Sequence, residues 1–358
     1  MKIVELGHSG VGKTTYMASM YAALQKKVAG FSLKAVDTSD HQRLCELAKS
    51  IRVNSYPPRT SQRSDYNFYL EYHGNKILPF FWADYRGKAL SERTSSYEFR
   101  ALQQDITKAD GIIIFFDCYT LTSGDSRINE VRKITFLLNS CLMNLERPIS
   151  LAIVFTKIDL VEKFEIKLLE SIKELINAIS KNKLISGALI PIACGQQNIN
   201  VETPLLYALQ TAIRTKIDSL NKDINFYDKQ IKSYQEIAKQ HRSQEREYRE
   251  KSSGLGGAVR DSWRKHIQHK PTYAYLADNE QKLAKQKKEE AKQEKEKKEK
   301  KLREYRPMLR SIDSLNYHLK KLPHIKENKK MDKYIREMSR FKPGFFRKLI
   351  NWLQNLFR

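Results

Sequence analysis

Gly7-His8-Ser9-Gly10-Val11-Gly12-Lys13-Thr14 stands between a short apolar run, Ile3, Val4 and Leu6, and a segment in which Met17, Met20, Tyr21 and Leu24 recur at helical spacing. A strand that passes through G-x-x-x-x-G-K-T into a helix is a phosphate-binding loop. Its glycines let successive backbone N–H groups turn toward phosphate oxygens at a helix start. In this pattern Gly7, Ser9, Gly10, Val11 and Gly12 shape the cradle, Lys13 reaches the β- and γ-phosphates, Thr14 offers its hydroxyl to Mg²⁺, and Thr15 closes the run. A nucleoside triphosphate is therefore the first ligand to consider, and α/β the first fold class.

Three further segments supply, in order, what a guanine-nucleotide site needs. Tyr66, Phe68, Leu70 and Tyr72 alternate along one strand, His73-Gly74-Asn75 turns, and a second strand ends in Asp84-Tyr85-Arg86-Gly87. In this D-x-x-G an Asp at a strand end can hold Mg²⁺ through its water shell, and the glycine lets a backbone N–H approach the γ-phosphate. An ordinary turn is the other reading. Pro79 cannot donate to a ladder, which delays the expected second strand to Phe80. Ala109 to Asp117 reads as a strand buried on both faces of a parallel sheet, and Asp117 as its cap rather than as the magnesium Asp of an ATPase. Leu151 to Phe155 then leads into Thr156-Lys157-Ile158-Asp159, a T-K-x-D. A carboxylate at Asp159 can accept two N–H bonds from guanine, a pair that adenine does not offer, and the Lys157 stem can cover the base. The alternative is a charged turn after a strand.

On these residues, the chain from 1 to about 218 resembles a Ras-like P-loop GTPase of the translation-factor-related class. The resemblance implies a mostly parallel six-stranded sheet with flanking helices, and GTP with Mg²⁺ as ligands. It implies a first-switch threonine that completes the metal shell; Thr60, in Pro57-Pro58-Arg59-Thr60, takes that place, with Ser61 as the alternative. The metal set is then Thr14, Thr60 and Asp84. The base-contacting loop of the family should follow a last strand near Leu189 to Ile192, which puts Ala193 or Cys194 there by position. Two departures bear on mechanism. Lys88 stands where relatives place a glutamine after D-x-x-G, and a lysine has no acceptor with which to hold the attacking water. Ser9 stands where loops that accept an arginine finger keep a glycine. Together they imply slow hydrolysis, or hydrolysis supported by Arg86, Lys88 or a second protomer beside Lys13, Thr60 and Gly87. The loop followed by Thr15-Tyr16-Met17 is also similar to bacterial GTPases linked to conflict and defence systems.

The 358 residues carry a formal net charge of +24, shared unevenly: 28 Lys and Arg against 22 Asp and Glu through residue 218, and 37 against 19 beyond it. The surplus points to an acidic partner for the second half, a membrane surface, a protein or nucleic acid. The last is disfavoured by the lack of zinc spacing, of a helix-turn-helix and of aromatics among the lysines. Cys45, Cys118, Cys141 and Cys194 are scattered, which fits a reducing interior. The first strand begins next to Met1 and no apolar run reaches ~18 residues, so the expectation is a cytoplasmic protein, docked at most on the inner face of a membrane.

Val201, Leu205, Leu209, Ala212 and Ile213 mark a last GTPase helix, and Leu220, Ile224, Tyr227, Ile231, Tyr234 and Ala238 continue it as a coiled-coil seam over 219–252, a route to self-association. Residues 253–277, with Ser252-Ser253-Gly254-Leu255-Gly256-Gly257, read as a break or hinge, because each interior glycine costs a helix ~1 kcal/mol. Over 278–340 a helical pattern resumes. Lys285 to Lys301 is almost wholly Lys, Glu and Gln, a charged helix with Glu294–Lys298 and Glu296–Lys300 pairs or else a disordered tract. Leu302, Tyr305, Leu309, Ile312, Leu319 and Leu322 then form a stripe expected to pair with the first coil. In 341–358, after Pro343-Gly344, Phe345, Phe346, Leu349, Ile350, Trp352, Leu353, Leu356 and Phe357 fall on one helical face opposite basic and amide residues. That is an interfacial helix for an anionic membrane, or a docking helix for a protein. The functional expectation is a GTP-binding switch or slow GTPase coupled to these arms. The alternative is a GTP-loaded scaffold, and an ATPase or kinase is disfavoured by Thr156 to Asp159.

Overall fold

The computed structural model describes residues 1–58, 63–85, 90, 96–122, 129–143, 145–161, 170–196, 198–320 and 322; Thr60, Ser61, Arg86, Gly87, Lys88 and residues 341–358, expected above to form a helix, lie outside them. Seven strands, β1 (Lys2–Leu6), β2 (Phe31–Ala35), β3 (Ser64–Tyr72), β4 (Asn75–Asp84), β5 (Gly111–Asp117), β6 (Ile149–Thr156) and β7 (Ile185–Pro191), form one sheet in the order β2-β3-β4-β1-β5-β6-β7. β2, β3 and β4 pair antiparallel, and every pairing from β4 through β1 to β7 is parallel. The expected six strands are thus corrected to seven. The addition is the edge strand β2, whose Leu33 faces Leu70 of β3; its apolar-polar alternation over Phe31 to Ala35 is a legible strand signal that sequence reasoning passed over.

Pro79 does not delay β4, which runs from Asn75 and sets Pro79 opposite Tyr69. The Phe81 N–H donates to the Met1 carbonyl at 2.8 Å, so N–H groups of that parity face β1. β1 begins at Lys2. Among the described residues no strand lies on that side at Pro79 to need a donor, and the proline is tolerated as at an edge.

Helices α1 (Lys13–Gln25), α2 (Thr38–Arg52), α3 (Tyr97–Lys108), α4 (Cys118–Thr122), α5 (Val131–Leu142), α6 (Lys173–Lys181), α7 (Thr203–Ser252), α8 (Gly254–His266) and α9 (Tyr273–Leu319) complete the described elements. One face of the sheet buries Val4, Leu6, Ile112, Ile114, Phe116, Ile153 and Phe155 with Leu102, Ile134, Leu138 and Leu175 of α3, α5 and α6. The alternate residues Ile3, Ile113 and Phe115 are equally buried, as are Tyr16 and Met20 of α1 and Leu205 and Leu209 of α7. The Leu205 N–H donates to the Tyr16 hydroxyl at 3.1 Å, which ties the start of α7 to α1.

The chain divides into two compact units, one of Met1–Thr215 with the chain from Pro307 onward, the other of Lys216–Arg306. In the first, Met308, Ser311, Ile312, Leu315 and Leu319 of α9 are buried. Asn316 accepts from Gln210 at 2.9 Å and from Arg214 at 2.7 Å, and Ser314 donates to the Ala29 carbonyl at 2.9 Å. This narrows the expectation that the stripe pairs with the first coil: its first residues, Leu302 and Tyr305, lie in the second unit, where α7 and α9 run antiparallel, and the rest does not. Its buried side passes through Met308, Ile312, Leu315 and Leu319, leaves Leu309 exposed, and belongs to the nucleotide-binding unit.

In the second unit α7 and α9 run antiparallel, linked by Asp223–Lys301 (2.8 Å), Asp228–Lys298 (2.7 Å), His241–Glu280 (2.5 Å) and Arg249–Asp278 (3.3 Å). The lysine-rich tract of α9 is helical, with Ala284 and Ala291 buried. Lys298 reaches Asp228, while its expected partner Glu294 takes Lys297 at 2.7 Å. The helix breaks at Ser253 as expected, and the glycine cluster then opens α8 at Gly254. A Cβ on Gly257 would lie 2.3 Å from the Ser252 carbonyl oxygen, so glycine is what lets α8 fold back on the end of α7.

Candidate functional site

The carboxyl ends of β1, β5, β6 and β7 converge where open parallel sheets bind ligands. The segments after β1, β6 and β7 line a cavity of about 420 Å³, and β5 reaches it through Asp117, which bonds Lys157. After β1, Gly12 takes a left-handed conformation (φ +96°) at the N-cap of α1, a backbone that a side chain would strain. Ser9, Gly10, Gly12, Lys13, Thr14 and Thr15 line the cavity, whereas Gly7 and Val11 lie behind it and contribute carbonyls. Lys13 donates to the Gly7 carbonyl at 2.9 Å.

The T-K-x-D after β6 is bonded to this loop. Thr156 donates its hydroxyl proton to the Val11 carbonyl at 2.7 Å, with the Phe116 carbonyl at 3.2 Å. Lys157, itself left-handed at φ +59°, donates to the Gly10 carbonyl at 3.1 Å and to Asp117 at 2.6 Å. Asp117 is also the cap expected of it, accepting from the Tyr119 N–H at 3.0 Å at the start of α4. Asp159 lies in the 3₁₀ turn Ile158–Leu160 and lines the cavity with Lys157. After β7, Cys194 joins the wall and burial pushes its thiol up to about 12. Ala193 sits behind it, buried and paired with Ile199 at 2.9 Å and 3.2 Å.

Asp84 ends β4 and is buried, with its Oδ1 lacking a hydrogen-bond partner. Its neighbour Tyr85 donates to Asp105 at 2.6 Å and accepts from Arg63 at 2.7 Å, which fixes the strand end that carries Asp84. Glu5, on the same face of β1 as Ile3, is fully buried, and its carboxyl lies beside Asp84, Lys13 and Trp82. Burial first, then the Asp84 charge, push its carboxyl well above the ordinary range. Burial holds the Lys13 ammonium below its usual value, against the pull of Glu5 and Asp84. Hard oxygen donors at Asp84 and Thr14, one of them buried and short of a partner, are the chemistry that Mg²⁺ takes.

The structure therefore brings together Ser9 to Thr15, Asp84, Thr156, Lys157, Asp159 and Cys194. Sequence reasoning missed Glu5, the Asp117–Lys157 contact, and Tyr56, Pro57, Pro58 and Leu160, which line the same cavity. Glu5 was legible only as a charge within an apolar strand; Tyr56 carries no spacing signal at all.

A comparison with curated proteins gave no match. Among solved structures, nucleolar GTP-binding protein 1 from Plasmodium falciparum is 15% identical over 62% of this chain and 91% of its own, with a TM-score of 0.36. The GTPase-like domain of Saccharomyces cerevisiae Ski7, bound to GTP, is 15% identical over 53% of this chain and 42% of its own, with a TM-score of 0.34. The family model for Double-GTPase 2 matches residues 3–190. That span is more than half of the sequence and contains the phosphate loop, Asp84 and Thr156 to Asp159, and the chain is a P-loop GTPase that belongs to the Double-GTPase 2 family.

Proposed function

We propose that the chain is a GTP-dependent switch with slow intrinsic turnover, which relays its nucleotide state along α7. The observation that carries this reading is the bonding of Thr156 and Lys157 to the carbonyls of Val11 and Gly10. The base-reading and phosphate-holding segments form one wall, so Asp159 addresses the base of the nucleotide whose phosphates the loop holds. Lys13 exchanges its present carbonyl acceptor for phosphate oxygens. Thr14 and Asp84, with Thr60, would hold Mg²⁺, which when bound neutralises charge between the β- and γ-phosphates. Slow turnover is supported by Lys88 in the place of a water-holding amide. The relay is supported by α7, which leaves the nucleotide unit as one unbroken helix from Thr203 to Ser252. Residues 341–358 would dock the switch on an anionic membrane or a partner protein. A second reading, a GTP-loaded scaffold that recruits an acidic partner, is favoured by the 37 Lys and Arg against 19 acids beyond residue 218.

Nucleotide titration of the full chain tests the site. GTP is expected to bind at least ~100-fold tighter than ATP, because Asp159 would be left unpaired by adenine, and Asp159→Asn should turn the preference toward xanthosine triphosphate. Equal GTP and ATP affinity, unaltered in the variant, contradicts the assignment. Single-turnover hydrolysis without partners should run below about 10⁻² per second; turnover of several per second would remove the slow-switch reading while leaving the nucleotide assignment in place.

A further inference from the structure

α8 leaves an apolar stripe uncovered. Leu255, Val259, Trp263 and Ile267 follow one another at four-residue steps and are 91%, 69%, 53% and 66% exposed. Residues four apart share a helix face. The opposite face is the docked one. Gly257 is buried there, and Asp261 accepts from the Tyr273 N–H (2.7 Å), the Ala274 N–H (3.2 Å) and the Ser252 hydroxyl (2.8 Å). Arg264 bonds the Pro271 carbonyl at 3.0 Å and covers the Tyr273 ring at 4.3 Å, and Arg260 bonds the Lys251 carbonyl at 2.9 Å. The contacts that hold α8 are thus polar and consume Asp261, Arg260 and Arg264, while the apolar stripe is left open.

From Lys251 to Tyr275 the chain carries five Lys and Arg (Lys251, Arg260, Arg264, Lys265, Lys270) and one acid, Asp261. Arg260 and Arg264 border the stripe on one side and Lys265 lies toward the other at 100° per residue, with His266 within it. A convex apolar stripe with a central Trp and a cationic border complements an anionic bilayer surface: aromatic and aliphatic side chains enter the interface and the cations meet lipid phosphates. The same positive charge opposes pairing with a second copy of this face. We propose that α8 is a membrane-docking surface that inserts Leu255, Val259, Trp263 and Ile267 into the headgroup layer of anionic bilayers, at a place distinct from residues 341–358.

Tryptophan quenching tests it in the full-length protein. The chain holds three Trp, at positions 82, 263 and 352, and Trp82 is fully buried. In a Trp352→Phe background, vesicles of phosphatidylglycerol and phosphatidylcholine with brominated acyl chains should quench Trp263, and the quenching should vanish in Trp352→Phe/Trp263→Phe. Lys265→Glu/Lys270→Glu leaves the stripe and the Asp261 contacts in place and should weaken vesicle affinity roughly tenfold or more. Phosphatidylcholine alone should quench little. Absent quenching, or quenching unaltered by the charge reversal, overturns the proposal. So does a sedimentation mass that halves in Val259→Asp/Trp263→Asp while vesicle binding is unchanged, which assigns the stripe to self-association. Failure of docking by 341–358 is read separately, from Trp352 in a Trp263→Phe chain.

Discussion

At Glu5 the chain places a carboxylate where the middle strand of a sheet ordinarily holds an aliphatic side chain. Its oxygens are buried beside Asp84, Lys13 and Trp82. Removing a carboxylate from water is costly, and a like charge next to it adds to the cost. Glu5→Gln keeps the shape and removes the charge, and should stabilise the nucleotide-free protein by about 1 kcal/mol or more, whereas Glu5→Ala should destabilise it through the cavity left behind. Urea unfolding without nucleotide decides this; a loss of stability in Glu5→Gln would mean that its attraction to Lys13 outweighs both penalties. Thr156, Lys157 and Asp159, which line the cavity, were legible from sequence because the T-K-x-D pattern has a fixed spacing. Glu5 and the Asp117–Lys157 bond were not, because they depend on which strands lie side by side, and β1, β5 and β6 meet only after more than a hundred residues of chain have folded.

At the scale of elements, the glycine cluster shows how far a local rule reaches before the packing must be known. Glycine propensity argues for a break after residue 252, and α7 does end at Ser252; what it leaves out is that a new helix starts at Gly254, where Gly257 admits the close approach of the Ser252 backbone that brings Asp261 to its three donors. The Cβ of Gly257→Ala meets backbone, which cannot move aside as a flexible side chain can. The substitution should undock α8 at a cost of about 1–3 kcal/mol, read as faster amide exchange at Tyr273 and Ala274 with the exchange of β5 and β6 unchanged. Protection unchanged at those two amides would show that α8 is held by something other than this approach. Pro79 teaches the same point from the other direction. The rule that proline interrupts a central strand is sound, and it fails here because β1 stops short of Pro79.

At the scale of the whole molecule, the chain leaves the nucleotide-binding unit at Thr215 and re-enters it at Pro307. Periodicity located the apolar stripe after residue 302 but could not assign its partner, since a stripe specifies a face and not what covers it. Met308, Ile312, Leu315 and Leu319 are buried in that unit, and Asn316 takes Gln210 and Arg214 of α7 as donors. Burying each such aliphatic side chain contributes about 1.5–3 kcal/mol, comparable in sum to the ~5–15 kcal/mol by which an ordinary domain is stable. The returning segment is therefore a structural part of the nucleotide-binding unit, and a piece ending near residue 218 lacks it. Leu315→Asp places a charge in its fully buried centre and should lower the unit's stability by about 3 kcal/mol or more, with GTP protecting the variant in proportion to the nucleotide it binds. Thermal unfolding of the full chain, with and without GTP, measures both effects. Asn316→Ala, which removes only the acceptor for Gln210 and Arg214, should cost less than Leu315→Asp; the reverse order would place the hold on the nucleotide unit in the polar contacts rather than in the buried stripe.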